Sequence, residues 1–364
     1  MTISGTSRGR YEGGDNLDPA NFTRFADHLV TVVNYLRRTH GFNITSLEPF
    51  NEPNSMWWQA SRTQGGQQEG CTFQPATQKA FLPVLSNMMK ARGLQGLVDL
   101  TSADEFAYNW AQFNQWGGAD YSLTAKANVH GYGFAVSQEW NQQRLNWRRT
   151  VPASVGRAWM SELGGFGQTP QNVASMASNI VLDLNIARVT AWVFWQVLDG
   201  HPDWTLLRPM SSCLSCSWFD PNRFDPVPAP GFYGLMQFSN HIQRGSKILA
   251  SSRSSDLDAC VVCVVVAHLP SKSELVIVAV NNDDTATFNH LFDLSAIPSA
   301  VAASRSTGAA GSPSPLVTLA YRTWPAQQEF HAAVARPVVT AAAAFVYALP
   351  PLSTTTFLLR SVTL

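Results

Sequence analysis

Across residues 1–248, short β-branched runs alternate with amphipathic helical stretches, and this alternation restricts the fold more than any other feature. Strands separated by helices pair in parallel, because the helical crossover brings the chain back to start each strand from the same end. Asp18-Pro19 offers an N-cap followed by proline at the first helical position, and Phe22, Phe25, Leu29, Val32, Val33 and Leu36 then recur at helical spacing toward Gly41. A short strand ends in Leu47-Glu48-Pro49-Phe50-Asn51-Glu52-Pro53, and a second helix from about Pro75 to Arg92 turns Phe81, Leu82, Leu85 and Met88 or Met89 inward. Further strands are expected near Leu97–Ser102, Ala127–His130, Arg157–Ser161 and Val189–Leu198. Thr169-Pro170 opens a helix with Val173, Met176, Ile180 and Leu184 on its apolar face, and a last amphipathic helix covers Gly231–Ile248. The loops after the strand ends are rich in Asn, Glu, Asp, His and Trp, as at the C-terminal mouth of a (β/α)8 barrel.

Past Ile248 the pattern changes. Val261–His268, Ser273–Asn281, Ala342–Leu349 and Thr354–Arg360 read as strands, with a small-residue linker over Pro298–Pro315. A (β/α) barrel over 1–248 and a β-sandwich over 249–364 are therefore expected, and 364 residues exceed what one core usually organises. With 45% hydrophobic and 14% charged residues, 12 Trp and 20 Phe, material for both cores is ample. The formal net charge is zero and no Lys/Arg block is interleaved with aromatics, which excludes the electrostatic footprint of nucleic-acid binding. The longest apolar stretches, Ala259–Ala267 and Ala341–Leu349, fall far short of the roughly 20 residues of a membrane helix. A neutral partner and a monomer are expected, and Met1–Gly5 shows no basic-then-apolar leader. Cys213/Cys216 and Cys260/Cys263 form C-x-x-C pairs, but their separation is too long for a zinc ribbon. Surface disulfides or plain thiols are expected for these and for Cys71, with no metal.

Glu52 ends one strand, preceded by Asn51 and followed by Pro53, which stops the ladder. Glu162 holds the matching place in Trp159-Met160-Ser161-Glu162-Leu163-Gly164, with two strands between. Two carboxylates at one barrel mouth suit glycosidic chemistry, in which one protonates the leaving oxygen and the other attacks the anomeric carbon. Either Glu alone reads equally well as a helix cap or half of an ion pair.

The segments Glu48-Pro49-Phe50-Asn51-Glu52-Pro53, Trp57-Trp58, Gln68-Glu69-Gly70-Cys71, His130-Gly131-Tyr132, Trp159-Met160-Ser161-Glu162 and Trp192-Val193-Phe194-Trp195-Gln196 occur in this order, followed by Gln237-Phe238-Ser239 and Gly245-Ser246-Lys247-Ile248. Over roughly Met1–Leu249 the chain thereby resembles glycoside hydrolase family 30, and within it the fungal and algal endo-β-1,6-galactanase branch. The resemblance implies a retaining hydrolase of β-linked polysaccharide, secreted, working without metal or organic cofactor. It implies Glu52 as acid/base, Glu162 as nucleophile, Asn51 on the sugar 2-hydroxyl, and His130 and Tyr132 beside the nucleophile. A β-1,6-glucanase, xylanase or glucosylceramidase shares that pair, and a non-catalytic carbohydrate-binding relic shares the pocket. Met1-Thr2-Ile3-Ser4-Gly5 resembles the family's segment ending the third barrel strand, so the first two strands and most of the third are expected to lie outside this chain, which would leave the barrel open and poorly stable.

Supporting residues follow from strand ends and loops. Trp195-Gln196 ends a strand where a flat ring can stack on a sugar face, with core packing as the alternative. Trp57 and Trp58 lie in a loop beside Gly65-Gly66, and Glu69, Asp104 and Glu105 are substrate contacts or solvated loop charges. Glu48 shares parity with Glu52 and should point inward one layer deeper. The sequons Asn21-Phe22-Thr23 and Asn43-Ile44-Thr45 agree with secretion.

Overall fold

The computed structural model describes residues 15, 17–55, 72–113, 123–133, 136–199, 201–209, 226–250, 258–297, 317–340, 342–360, 362 and 364. Trp57, Trp58, Glu69, Cys71, Cys213, Cys216 and the linker 298–315 lie outside the described residues. Two compact units divide the chain: Met1–Gly133, Gln142–Leu163 and Ala187–Val193 make the first, and Phe134–Asn141, Gly164–Ile186 and Phe194–Leu364 the second.

Ser46–Leu47 (β1), Asp99–Glu105 (β2), Lys126–His130 (β3), Arg157–Gly164 (β4) and Ala191–Trp195 (β5) form one five-stranded sheet in sequential order. The pairs β1/β2, β2/β3 and β3/β4 are parallel, as the intervening helices require. Those helices are Pro75–Ala91 (α2), Tyr108–Phe113 (α3) and Gln138–Thr150 (α4), with Phe22–His40 (α1) ahead of β1. Asp18 caps the turn that opens α1 by accepting from the Ala20 N–H at 2.9 Å, and Gly41 closes the helix at φ +68°. The buried face of α1 is Phe22, Ala26, Val30 and Val33, packed with Phe81, Leu82, Leu85 and Met89 of α2. Val32, expected inside, is 41% exposed, because the stripe that meets α2 runs through residues 26 and 30. Helix α4 carries no apolar stripe. It is anchored by Trp147, whose ring meets Tyr108 edge-on at 5.5 Å, and by Arg144 over the Tyr108 ring.

The second unit contains Pro170–Leu182 (α5), the small hairpin of Leu207–Pro209 (β6) and Pro226–Pro228 (β7), and Pro230–Ser239 (α6). Its remaining strands are Lys247–Leu249 (β8), Val262–Leu269 (β9), Glu274–Asn281 (β10), Phe288–Asp293 (β11), Val317–Trp324 (β12), Glu329–Ala333 (β13), Ala344–Leu349 (β14) and Ser353–Arg360 (β15). An antiparallel sheet ordered β13-β12-β15-β10-β9-β8 faces the pair β11-β14 across Leu275, Ile277, Phe292, Phe345, Phe357 and Leu359. Helix α5 packs against β9, β10 and β15, so β10 is buried throughout and reads as an unbroken apolar run. Gly234 lets α6 approach α5, since a Cβ there would lie 2.8 Å from Val173 Cγ1. The helix expected over 231–248 stops at Ser239, and residues 247–249 instead form an edge strand on β9. Cys260 and Cys263 are joined as a disulfide that is buried, not on the surface.

His241 follows α6 and His331 lies on β13. Their Nε2 atoms are 3.1 Å apart, the rings lie within 14° of one plane, and the centroids are 5.3 Å apart, so the nitrogens point at each other and share one N–H. Tyr321 lies flat against both rings, at 4.6 Å from His331 and 5.4 Å from His241. Burial first, then His331 and Lys272, hold His241 down at about 4 from 6.5, and burial lowers His331. Between those values the unfolded chain binds more protons than the folded one, so stability should fall as pH drops from about 6.5 to about 4. Thermal unfolding across that window should show a flatter loss for His241→Gln; parallel curves for variant and wild type would exclude the pair as the cause.

Candidate active site

In the sheet order β1 and β4 are separated by β2 and β3, and the site gathers at the C-terminal ends of these strands. After β1, Phe50 inserts between Phe73 and Phe81, with centroids 5.0 and 6.0 Å away, which anchors the turn carrying Glu52. Glu52 has φ +47°, a left-handed conformation that a β-carbon disfavours by roughly 1–2 kcal/mol. Its N–H donates to the Asp104 carbonyl at 2.8 Å and its carbonyl accepts from the Ser55 N–H at 2.9 Å, which hold the conformation. The residue is 4% exposed.

Three carboxylate side chains meet on His130 of β3. Its Nδ1 lies 2.8 Å from Glu52 Oε1 and 3.6 Å from Glu162 Oε1, and its Nε2 lies 3.4 Å from Asp104 Oδ1. The Tyr132 hydroxyl donates to Glu162 Oε1 at 2.9 Å, and the Tyr132 ring stacks on Phe106 with centroids 5.2 Å apart. The Ser161 hydroxyl bonds to Asp104 Oδ1, tying the residue before Glu162 to the end of β2. Carboxylate oxygens of Glu52 and Glu162 and a ring nitrogen of His130 all lie within 4.8 Å of one another.

The charges follow from this packing. Burial alone would lower the pKa of His130. The charge of Asp104, hydrogen bonds to Asp104 and Glu52, and the charge of Glu162 outweigh it and push the ring up to about 10. The imidazolium therefore persists through neutral pH, and the stability it contributes is full below about 6.5 and is lost progressively as pH rises from there to about 10. Burial raises the pKa of Glu162, opposed by His130 and by the Tyr132 hydrogen bond and reinforced by the charges of Glu52 and Asp104. Burial, then the charge of Glu162, raises Tyr132 as well, so its hydroxyl stays a donor.

Glu48 lies below this group. Its carboxylate accepts from Thr101 Oγ1 at 2.9 Å, Asn128 Nδ2 at 3.3 Å and the Phe50 N–H at 3.3 Å. Burial and then Asp104 raise its pKa well above the usual carboxylate value. Lys126 sits 3.6 Å over the Trp159 ring, with Nζ 3.1 Å from Ser46 Oγ, and burial lowers its pKa.

The structure thus brings together Glu52, Glu162, His130, Tyr132 and Asp104. Glu105 goes elsewhere: it is fully buried, and its Oε1 accepts from Asn54 Nδ2 at 2.9 Å and Gln78 Nε2 at 3.5 Å. The register of β2 shifts between Ala103 and Glu105, which separates the two neighbouring acids. Asn51 is exposed beside Glu52. Trp195, in the second unit, is 45% exposed, and Gln196 Nε2 donates to Asp199 Oδ2 at 2.9 Å. Ser161, Asn128 and Lys126 were not foreseen. For Lys126 and Asn128 the signal is polar alternation at 126, 128 and 130 on a strand buried along its whole length.

No family model matches the chain. It is 30% identical to an endo-β-1,6-galactanase of Hypocrea rufa over 280 residues, 76% of this chain and 52% of that protein, so it spans about half the length of this curated relative. Its fold is similar to that of a conserved exported protein from Bacteroides fragilis, at TM-score 0.71 and 16% identity, covering 97% of this chain and 72% of the other. It is similar also to a glycoside hydrolase family 30 subfamily 8 xylanase from Clostridium acetobutylicum, at TM-score 0.67 and 17% identity, covering 95% and 73%. A family 30 endoxylanase from Clostridium papyrosolvens C71 aligns at TM-score 0.65 and 19% identity, covering 99% and 75%. These likenesses account for a (β/α)-barrel sheet accompanied by an antiparallel sandwich. By sequence the chain is thus similar to an endo-β-1,6-galactanase over three quarters of its length, and by fold it is similar to xylanases of glycoside hydrolase family 30.

Proposed function

We propose that the protein is a retaining glycoside hydrolase of β-linked polysaccharide, an endo-β-1,6-galactanase, acting through Glu162 as nucleophile and Glu52 as acid/base. The observation that carries this reading is the approach of their carboxylate oxygens to within 4.8 Å. One oxygen from each side chain can thus reach the same anomeric centre, as a retaining pair must, with its carboxyl groups about 5–5.5 Å apart. Tyr132 orients Glu162 for attack on the anomeric carbon. His130 holds Oε1 of Glu52, which fixes the carboxyl that protonates the departing glycosidic oxygen. Once the glycosyl ester forms, Glu162 carries no charge, and Glu52 accepts a proton from the incoming water. Asn51 and the exposed Trp195 ring are assigned to the sugar, and Trp57, Trp58 and Glu69 remain candidate contacts.

Residues 1–248 are assigned to the catalytic barrel and 249–364 to the sandwich, in a secreted monomer that needs no cofactor. Among the described residues no helix is long and apolar enough to cross a membrane, and Asn21 and Asn43 of the two sequons are exposed. Initial rates should be highest on β-1,6-galactan, ahead of β-1,6-glucan, xylan and glucosylceramide. Proton NMR of early product should show the β-anomer first; initial α-anomer would rule out the assigned roles.

A further inference from the structure

The loop that leaves β4 runs against a tryptophan that no sequence motif marked. A Cβ on Gly164 would fall 1.6 Å from the Trp195 carbonyl oxygen and 3.0 Å from Trp204 Cε3. A Cβ on Gly165, at φ +75°, would fall 2.9 Å from both Cζ2 and Cη2 of Trp204. These ring atoms lie on opposite sides of the six-membered ring, so the ring spans both glycines. No side chain could be inserted at either position without moving the loop.

Trp204 is also tied to the segment after β5 through its backbone. The Gln196 N–H donates to the Trp204 carbonyl at 2.8 Å, and the Leu206 N–H reaches the Gln196 and Val197 carbonyls at 3.3 and 3.2 Å. Gln168 closes the other side, with Nε2 donating to the Thr205 carbonyl at 2.9 Å and the Pro202 carbonyl at 3.3 Å. The Gly167 N–H donates to the Asp203 carbonyl at 3.2 Å. The segment bearing Trp195 and Gln196 is therefore clasped on its backbone while Trp195 as a residue stays 45% exposed. A ring with so little packing around it takes its direction from its own backbone, and here that backbone rests on Trp204 and Gly164.

We propose that Trp204 is a positioning residue for Trp195, acting through Gly164 and Gly165 and through the backbone of Gln196. The proposal rests on the assignment of Trp195 to the sugar. Trp204→Ala and Gly164→Ala should each raise KM about tenfold, the scale of one lost aromatic contact, with a much smaller change in kcat, whereas Trp204→Phe should restore most of the affinity. Because Trp204 acts only through Trp195, the Trp195→Ala/Trp204→Ala double variant should be no worse than Trp195→Ala alone. Additive losses, or wild-type KM in Trp204→Ala, would overturn the proposal.

Absence of turnover by the wild type on any β-glycan would instead defeat the assigned function. Positioning is then read from hydrogen exchange at the Gln196 amide. Protection lost in Trp204→Ala and kept in Trp204→Phe supports the clasp, and unchanged protection in Trp204→Ala refutes it.

Discussion

Replacing Glu162 with glutamine is expected to lower turnover by about 10^5-fold or more on every β-glycoside, the order seen when a covalent nucleophile is removed. The amide keeps the size of the side chain and can still accept the Tyr132 hydrogen bond, so the site should stay assembled. It cannot form the glycosyl ester, and no change of leaving group can bypass that step. Thermal unfolding should remain cooperative in the variant, separating lost chemistry from lost fold. Residual activity above about 1% of wild type would show that another group attacks the anomeric carbon.

Glu52→Gln should slow hydrolysis of the polysaccharide by about 10^2–10^4-fold, the usual contribution of a positioned general acid and base. Substrates whose leaving group needs no proton should still complete the first step, giving a burst followed by slow deglycosylation. Azide needs no general base, so it should restore turnover and yield the β-glycosyl azide. Azide rescue of Glu162→Gln with a β-azide product, together with an α-azide product from Glu52→Gln, would reverse the roles of the two residues. The same substitution weakens the Glu52 hydrogen bond that helps hold the proton on His130, so the pKa of the ring should fall below about 10, as followed by NMR of the ring protons.

What was legible in the sequence was periodic or punctuated. The strand–helix alternation predicted the parallel sheet, and the polar ends Asn51-Glu52-Pro53 and Ser161-Glu162 predicted which residues would reach one end of it. Strand parity placed Glu48 a layer below Glu52, where it accepts from Thr101 and Asn128. Strands β11, β12 and β13 were not legible, nor was α4, which is held by Trp147 and Arg144 against Tyr108 rather than by an apolar stripe.

Asp104 and Glu105 mark the boundary between the two kinds of information. As adjacent acids they looked equivalent, yet an irregularity in the β2/β3 register turns Asp104 toward His130 and leaves Glu105 with Asn54 and Gln78. The sequence by itself determined which elements form and which strand ends carry carboxylates, because helix and strand periods and proline stops act over a few residues. Only the tertiary structure decided the charge on His130 and the clasp of Trp204 on Gly164 and Gly165. Electrostatic energies and steric clearances depend on distances in space, and the groups that set them lie dozens of residues apart along the chain.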